Sequence, residues 1–324
     1  IQGMPSAPHL DFAGEIRREI DFPTFHGAKI QDVATARYAI ASGKVDMIGM
    51  TRAHMADPHI VRKIAEGREE EIRPCVGANY CLDRIYQGGA AYCIHNAATG
   101  RETTMPHTIP KAALQRRVVI IGAGPAGLEA ARVAGERGHS VVVFEAASDA
   151  GGQIRLTAQS ERRREMLGII DWRLSRCEAL GVEIRYNVWA EAEEVLAEKP
   201  DVVIVATGGF PMEDQPAVGS DLVVNTWDIL SGHVLPGKRI LLFDDAGDHA
   251  ALQAAEIITA AGAELEIMTP DRTFSAEIMA MNLVPYMRSL QRDLPAEVRA
   301  ARRQPTARRN HQRLCGSWSA GYKS

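Results

Sequence analysis

Apolar residues gather along this chain in short uninterrupted runs separated by helix-like stretches and small-residue turns, the pattern of strands buried in a parallel α/β sheet. Arg117–Ile121 is one such run; it enters Gly122-Ala123-Gly124-Pro125-Ala126-Gly127, passes through a helix-like stretch, and is followed by Val141–Phe144, which closes on Glu145. Asp201–Val205 reads as another buried strand, ending in Ala206-Thr207-Gly208-Gly209. Lys238–Phe243, a helix from Ala250 to Ala261 stopping near Gly262, and the strand Leu265–Met268 repeat the strand–helix–strand order.

Upstream the runs are shorter. The first regular segment reads as Ile16 to Phe25, and Asp32 then caps a helix through about Ser42 with Gly43 in the stop position. Val45–Arg52 reads as a strand, and Asp57-Pro58 as the start of another helix with proline in its first turn. These are two consecutive βα units, too few for a parallel sheet to cover itself, so the pattern predicts preceding units and a fragment. From Asp293 onward both periodicities fade, and Arg299, Arg302, Arg303, Arg308, Arg309, Arg313 and Lys323 face only Asp293 and Glu297. That stretch reads as a basic, disordered interaction tail or as an out-of-frame one.

Composition adds limits. The 324 residues are 46% apolar and 24% charged, as in soluble globular proteins. A net charge of −4 offers no global attraction to nucleic acid or an anionic membrane. The absence of a long apolar run or an apolar leader makes a cytoplasmic location the default expectation. Five cysteines, three of them clustered, do not form the framework of a secreted disulfide protein.

Two constellations carry chemistry. Strand, G-x-G-x-x-G, helix, second strand and acid together make a dinucleotide fingerprint. In it Gly122 permits the tight turn, Gly124 lets backbone approach a pyrophosphate, Gly127 lets the helix lie on the sheet, and the helix N-terminus at Pro125 and Ala126 faces the phosphates. Glu145, 18 residues past Gly127, suits a ribose hydroxyl and disfavours a 2′-phosphate. The alternative is a structural glycine turn without a ligand. The second constellation is Cys75, Cys81 and Cys93, whose spacing with intervening Gly and Asn points to metal or an iron–sulfur cluster rather than disulfides.

The order G-x-G-P-A-G, Glu145, Gly151-Gly152-Gln153 and Ala206-Thr207-Gly208-Gly209 resembles flavin-dependent pyridine-nucleotide-disulfide-type reductase domains, which implies FAD on Gly122, Gly124, Pro125, Ala126, Gly127, Glu145, Gly152, Gln153, Thr207 and Gly208. Phe25-His26-Gly27-Ala28-Lys29-Ile30, Gly49-Met50-Thr51-Arg52-Ala53 and Ala56-Asp57-Pro58 resemble the last two βα units of an old yellow enzyme-type barrel. That likeness implies an FMN phosphate approached by Gly27 and Gly49 and paired with Arg52. Arg52 pairing with Asp57 is the competing reading.

Barrel end, cysteine loop and FAD-type domain in this order resemble the 2,4-dienoyl-CoA reductase and trimethylamine dehydrogenase family, over roughly residues 20 to 290. The implied fold class is α/β, the C-terminal part of a (β/α)8 barrel followed by a Rossmann-like FAD/NAD(P)-binding region. The expected divisions are 1–72 (barrel end), 73–110 (cysteine loop), 111–235 (FAD domain), 236–292 (a second, incomplete nucleotide-like domain) and the tail 293–324. The family implies a [4Fe–4S] cluster, but its cysteine three positions after the first is Ala78 here. An intact cluster, a three-ligand site and no metal all stay open; His95 is the nearby replacement, while Cys177 and Cys315 are distant. In the second nucleotide domain Asp244-Asp245-Ala246-Gly247-Asp248-His249 lacks the glycine spacing, leaving NAD(P)H binding and a degenerate domain as equal readings.

Cys-Val-Gly-Ala-Asn-Tyr-Cys-Leu-Asp-Arg most resembles the loop of N-methylproline demethylases. The implied activity is flavin-dependent oxidative demethylation of a small N-methylated amine, with electrons passing to a partner or to NAD(P)+. NADPH-dependent reduction of a dienoyl thioester, an inactive flavin-binding fragment and an interaction protein acting through its tail are the alternatives. A homo-oligomer accords with the family. No catalytic residue is named, since the family's substrate-facing groups lie on earlier barrel strands.

Overall fold

The computed structural model describes residues 3–211 and 219–293. The basic tail beyond Asp293, with Cys315, lies outside the described residues.

The first helix, α1 (Leu10–Glu19), begins six residues before the expected Ile16. It buries only Leu10, Ala13 and Gly14, a contact stripe too narrow to stand out as a helical period. Strand β1 (Phe25–His26) pairs in parallel with β2 (Met47–Ile48), and α2 (Val33–Ala41) connects them, capped by Asp32, which accepts the Thr35 N–H. The strand expected over Val45–Arg52 shrinks to two residues because Thr51 already opens α3 (Thr51–Ala56), so Arg52 sits in a helix's first turn. Asp57 does not open a helix. It ends α3, and α4 (Ile60–Ala65) starts three residues later; the Asp57 carboxylate is held by Lys63 at 2.6 Å and accepts the Arg73 and His59 N–H groups. Phe25 and Met47 are exposed.

After the short helix α5 (Tyr80–Tyr86), a four-stranded all-parallel sheet forms in the order β5-β4-β3-β6. Its elements are β3 (Arg117–Ile121), α6 (Pro125–Glu136), β4 (Ser140–Phe144), α7 (Gln153–Thr157), α8 (Gly168–Ala179), β5 (Glu183–Arg185), α9 (Ala192–Ala197) and β6 (Val202–Val205). Helices α6 and α8 cover one face, where Val118, Ile120, Val141 and Val143 meet Leu128, Ala131, Ile169, Ile170 and Cys177. Val119, Val142 and Phe144 pack against Val195 of α9 on the other. β6 is not buried as its apolar run suggests, since Val203 and Val205 are exposed on that second face. Among the described residues β6 is an edge strand, and the six-residue α9 packs on the neighbouring β3 and β4.

A second unit comprises α10 (Thr226–Ser231), β7 (Arg239–Phe243), α11 (His249–Ala260), β8 (Glu264–Met268) and α12 (Ala280–Asp293). β7 and β8 are parallel, and α10, α11 and α12 share a core that includes Leu242, Leu252, Ile258, Ile267 and Tyr286. Here too the strand read as buried alternates, with Leu241 and Phe243 exposed. No described helix is long and apolar enough to cross a membrane.

Candidate functional site

The sheet changes winding direction at β3: the chain goes to β4 and β5 on one side and returns to β6 on the other. A crevice opens outside the carboxyl ends at such a switch point, and there the glycine turn lies. Its glycines divide by what a side chain would meet. At Gly122 (φ +101°) a Cβ would stand 2.5 Å from the Ala206 carbonyl oxygen, and at Gly127 it would stand 1.9 Å from that of Gly122. Both are therefore demanded by packing alone. A Cβ on Gly124 would meet nothing within 4 Å.

Around that open space the remaining residues converge. Gly152 (φ +49°) and Gly208 (φ +76°) border it, a Cβ on Gly152 reaching only the Gly124 Cα at 3.4 Å. Gln153 Nε2 donates to the Gly209 carbonyl at 3.2 Å, tying the turn before α7 to the turn after β6, and the Gly151 N–H donates to the Ala123 carbonyl. Thr207 is exposed beside them. Gly124 is the N-cap of α6, Pro125 fills its first position, and Ala126 is exposed, so the first-turn N–H groups point at the crevice. Glu145 follows β4 directly, and its carboxylate accepts the Ala123 N–H at 2.6 Å and the Ala147 N–H at 2.9 Å.

The corresponding turn of the second unit is closed on itself. Asp244 is buried; one carboxylate oxygen accepts the Gly247 N–H at 2.8 Å and the other the Ser275 N–H at 2.7 Å. Asp248 caps α11 through the Ala250 N–H. Carboxylates thus take the N–H groups that a pyrophosphate would need.

Cys75, Cys81 and Cys93 line one small cavity, partly open to solvent, with Arg52, Ala78 and His95 also in its wall. The Cys93 sulfur accepts the His95 backbone N–H at 3.4 Å. Burial pushes the Cys75 and Cys81 thiols up, against the opposing pull of nearby backbone N–H dipoles and of the Arg52 charge. Burial thus favours their neutral form. Among the described residues no three His, Cys, Asp or Glu side chains converge closely enough to hold one metal ion. Three thiols lining one cavity are nonetheless a soft donor set of the kind that iron and iron–sulfur groups take.

Arg52 stands at this cavity, donating from Nη1 to Asn79 Oδ1 at 3.0 Å, while Asp57, its alternative partner, is taken by Lys63. Gly27 and Gly49 lie against each other: a Cβ on Gly27 would be 2.8 Å from the Gly49 carbonyl oxygen, and the Gly49 N–H donates to His26.

Behind the cavity lies a buried ionic group that the sequence reading missed. Glu129 pairs with Arg132 at 2.6 Å and Arg173 at 2.8 Å, and Arg132 also pairs with Glu136. Burial pushes the Glu129 carboxyl up, but Arg132 and Arg173 outweigh it and bring it down to about 2. Arg73 stacks on Trp172, and burial, aided by the Arg132 charge, lowers it to about 10. Arg173 Nη2 reaches the His95 carbonyl at 3.3 Å, linking the glycine-turn helix α6 to the cysteine loop. The i,i+3 and i,i+4 spacing of Glu129, Arg132 and Glu136 was a readable signal; Arg173 and Arg73 join only through the fold.

Fold and crevice define a parallel α/β protein with a dinucleotide-type βαβ unit, and residues 120–169 match the family of NAD(P)-binding Rossmann-like domains. The chain is 74% identical over 292 residues to a probable N-methylproline demethylase of Rhizobium meliloti (strain 1021), covering 90% of this chain and 43% of that protein. It is 48% identical over 268 residues to the multifunctional alkene reductase/demethylase OYE of Caballeronia cordobensis, covering 83% and 39%. Among solved structures, 6-hydroxypseudooxynicotine amine oxidase from Pseudomonas geniculata N1 superposes with a TM-score of 0.85 at 25% identity, over 92% of this chain and 46% of that one. The chain is related to the alkene reductase, dimethylamine dehydrogenase and 2,4-dienoyl-CoA reductase-type family. It spans less than half the length of the relatives just named.

Proposed function

We propose that this chain is part of a flavin-dependent oxidoreductase that oxidatively demethylates a small N-methylated amine of the N-methylproline type. Residues 1–72 supply the end of an FMN-binding (β/α)8 barrel, 73–110 the cysteine loop, 111–235 an FAD-binding domain and 236–292 a second nucleotide-like domain. The observation that carries the reading is the glycine crevice, where Gly124 alone of the three fingerprint glycines is free of any packing demand. That freedom is what backbone approach to a pyrophosphate requires.

Bound flavins would supply hydride acceptance and one-electron transfer, and an iron–sulfur cluster would relay electrons. The residues of this chain bind and orient. The first turn of α6 directs N–H groups at the phosphates, and Glu145 accepts hydrogen bonds where an adenosine ribose would present its hydroxyls. Gln153, Thr207 and Gly208 form the opposite lip, with Gln153 bonded to Gly209. Gly27 and Gly49 bring two strand ends close enough for backbone to face a phosphate, with Arg52 two residues into the following helix turn. Cys75, Cys81 and Cys93 would hold the cluster.

A 2,4-dienoyl-type alkene reductase is the second reading, favoured by the alkene reductase activity in the name of one relative. It needs NAD(P)H, and the Asp244-closed turn of the second unit argues against a pyrophosphate there. Electrons leaving to a separate acceptor fit that turn better.

The test is release and chromatographic identification of flavin from the purified chain and from the longer protein carrying it, followed by turnover with N-methylproline. FAD in both, with formaldehyde produced by the longer protein, supports the reading; a flavin-free protein contradicts it.

A further inference from the structure

Helix α7 brings Gln153 to the lip of the glycine crevice, yet it has little packing of its own to hold it there. It is five residues long, and none of them is fully buried. A helix of that length does not stand by itself in water. Its two ends are tied instead. At the first, Gly152 lies against Gly124, and Gln153 Nε2 donates to the Gly209 carbonyl across the crevice. At the last, Thr157 presents a carbonyl that no further turn of α7 can satisfy. Gln253 of the second unit takes it, donating from Nε2 at 2.6 Å.

Gln253 is out of character with its own helix. Its neighbours in α11, Ala251, Leu252, Ala254 and Ala255, are buried apolar residues, and Gln253 itself is 1% exposed. A buried amide costs free energy unless it is hydrogen-bonded, and this one finds its acceptor 96 positions back, in the other unit. The carbonyl can only accept, which fixes the amide with its nitrogen toward α7. One turn further along α11 the same face repeats the grip: Glu256 accepts Arg162 Nη2 at 2.6 Å and the Ser160 hydroxyl at 3.3 Å, both from the segment that leaves α7. At about 1.5 Å per residue α7 is a lever of about 7 Å, too short to absorb a shift at one end before it reaches the other.

We propose that Gln253 is a positioning residue for the dinucleotide crevice. By anchoring the carbonyl end of α7 it sets Gly152 and Gln153 against Gly124 and Gly209, and it gives the second unit a hold on how tightly the crevice keeps its ligand. The inference rests on the reading that this crevice takes FAD. Coupling between two sites is reciprocal, so FAD in the crevice must also steady α11.

The test is titration of FAD into the flavin-free protein, wild type beside Gln253→Met, which keeps the length of the side chain and removes its donor. The variant is expected to bind FAD about tenfold more weakly, the equivalent of one buried hydrogen bond. Ile258→Val, in the core beneath the same helix, should lower the melting temperature and leave FAD affinity unchanged. On a Gln153→Ala background Gln253→Met should weaken binding further by about twofold or less, since both act through α7. In the wild type, FAD should slow amide hydrogen exchange across residues 250–260, far from the crevice, which is a readout that needs no variant. Wild-type affinity in Gln253→Met, an equal loss in Ile258→Val, or exchange in α11 indifferent to FAD would overturn the proposal while leaving the flavin reading intact. A wild-type protein that binds no FAD would overturn both.

Discussion

Asn79 and Asn282, 203 positions apart, meet side chain to side chain: Asn79 Nδ2 donates to Asn282 Oδ1 at 2.9 Å, with both residues buried. Asn282 Nδ2 also donates to the Ala78 carbonyl and to Asp83 Oδ2, each at 3.1 Å, and Asn79 Oδ1 accepts from Arg52. Asn79 holds a left-handed conformation (φ +60°) at the N-cap of α5, which asparagine tolerates better than most residues. One amide pair thus clips the cysteine loop to α12 of the second unit. Asn282→Ala is expected to lower stability by about 2–3 kcal/mol, because buried partners are left unmatched. Chemical denaturation of the single variants and of Asn79→Ala/Asn282→Ala checks this; the double variant should cost clearly less than the sum of the singles.

Glu129 neutralises two buried arginines at once. Glu129→Gln should destabilise the protein by about 3–5 kcal/mol, the usual penalty for stranding a buried partner. Adding Arg173→Met should recover part of that loss. Equal stability of wild type and Glu129→Gln in urea would show that the group contributes nothing.

Acid sensitivity follows from two groups with lowered values. Burial, together with the Arg163 charge, holds His249 at about 3, against about 6.5 for a free imidazole. Between those values the unfolded chain binds the extra proton, so the contribution of neutral His249 is complete above about pH 6.5 and declines as pH falls toward 3. For Glu129 the contribution is complete above about 4.3 and is lost as pH falls through about 2. Stability measured between pH 7 and 4 should therefore fall, and His249→Gln should flatten the slope.

The second unit's turn is predicted to be structural. Asp244→Ala removes the acceptor for Gly247 and Ser275, and a loss of about 2–3 kcal/mol is expected, with no gain in NADPH affinity by calorimetric titration. Tight NADPH binding by the wild-type second unit would contradict the assignment.

Much of this was legible beforehand, where local chemistry dictates structure. The turn from β3 to α6, the Asp32 cap and the stop at Gly43 each depend on residues within a few positions. What was missed depends on partners distant in sequence. Val203 and Val205 look like core residues, but among the described residues β6 falls at the sheet edge, which no local pattern encodes. Arg52 looked like the end of a strand, yet helix α3 carries it toward Asn79. Asn282 carried no signal at all, and the turn at Asp244 could be read as lacking the glycine spacing but not as closed by a carboxylate folded back onto it.

The most direct measurement is flavin content of wild type beside Gly124→Ala and Gly127→Ala. A methyl at position 124 projects into open crevice, whereas one at 127 collides with the Gly122 carbonyl. The account predicts FAD in the wild type, a folded Gly124→Ala with unchanged melting temperature in its flavin-free state but at least tenfold weaker FAD retention, and a Gly127→Ala that fails to fold. Full FAD retention by Gly124→Ala, or wild-type protein that binds no FAD, would contradict it.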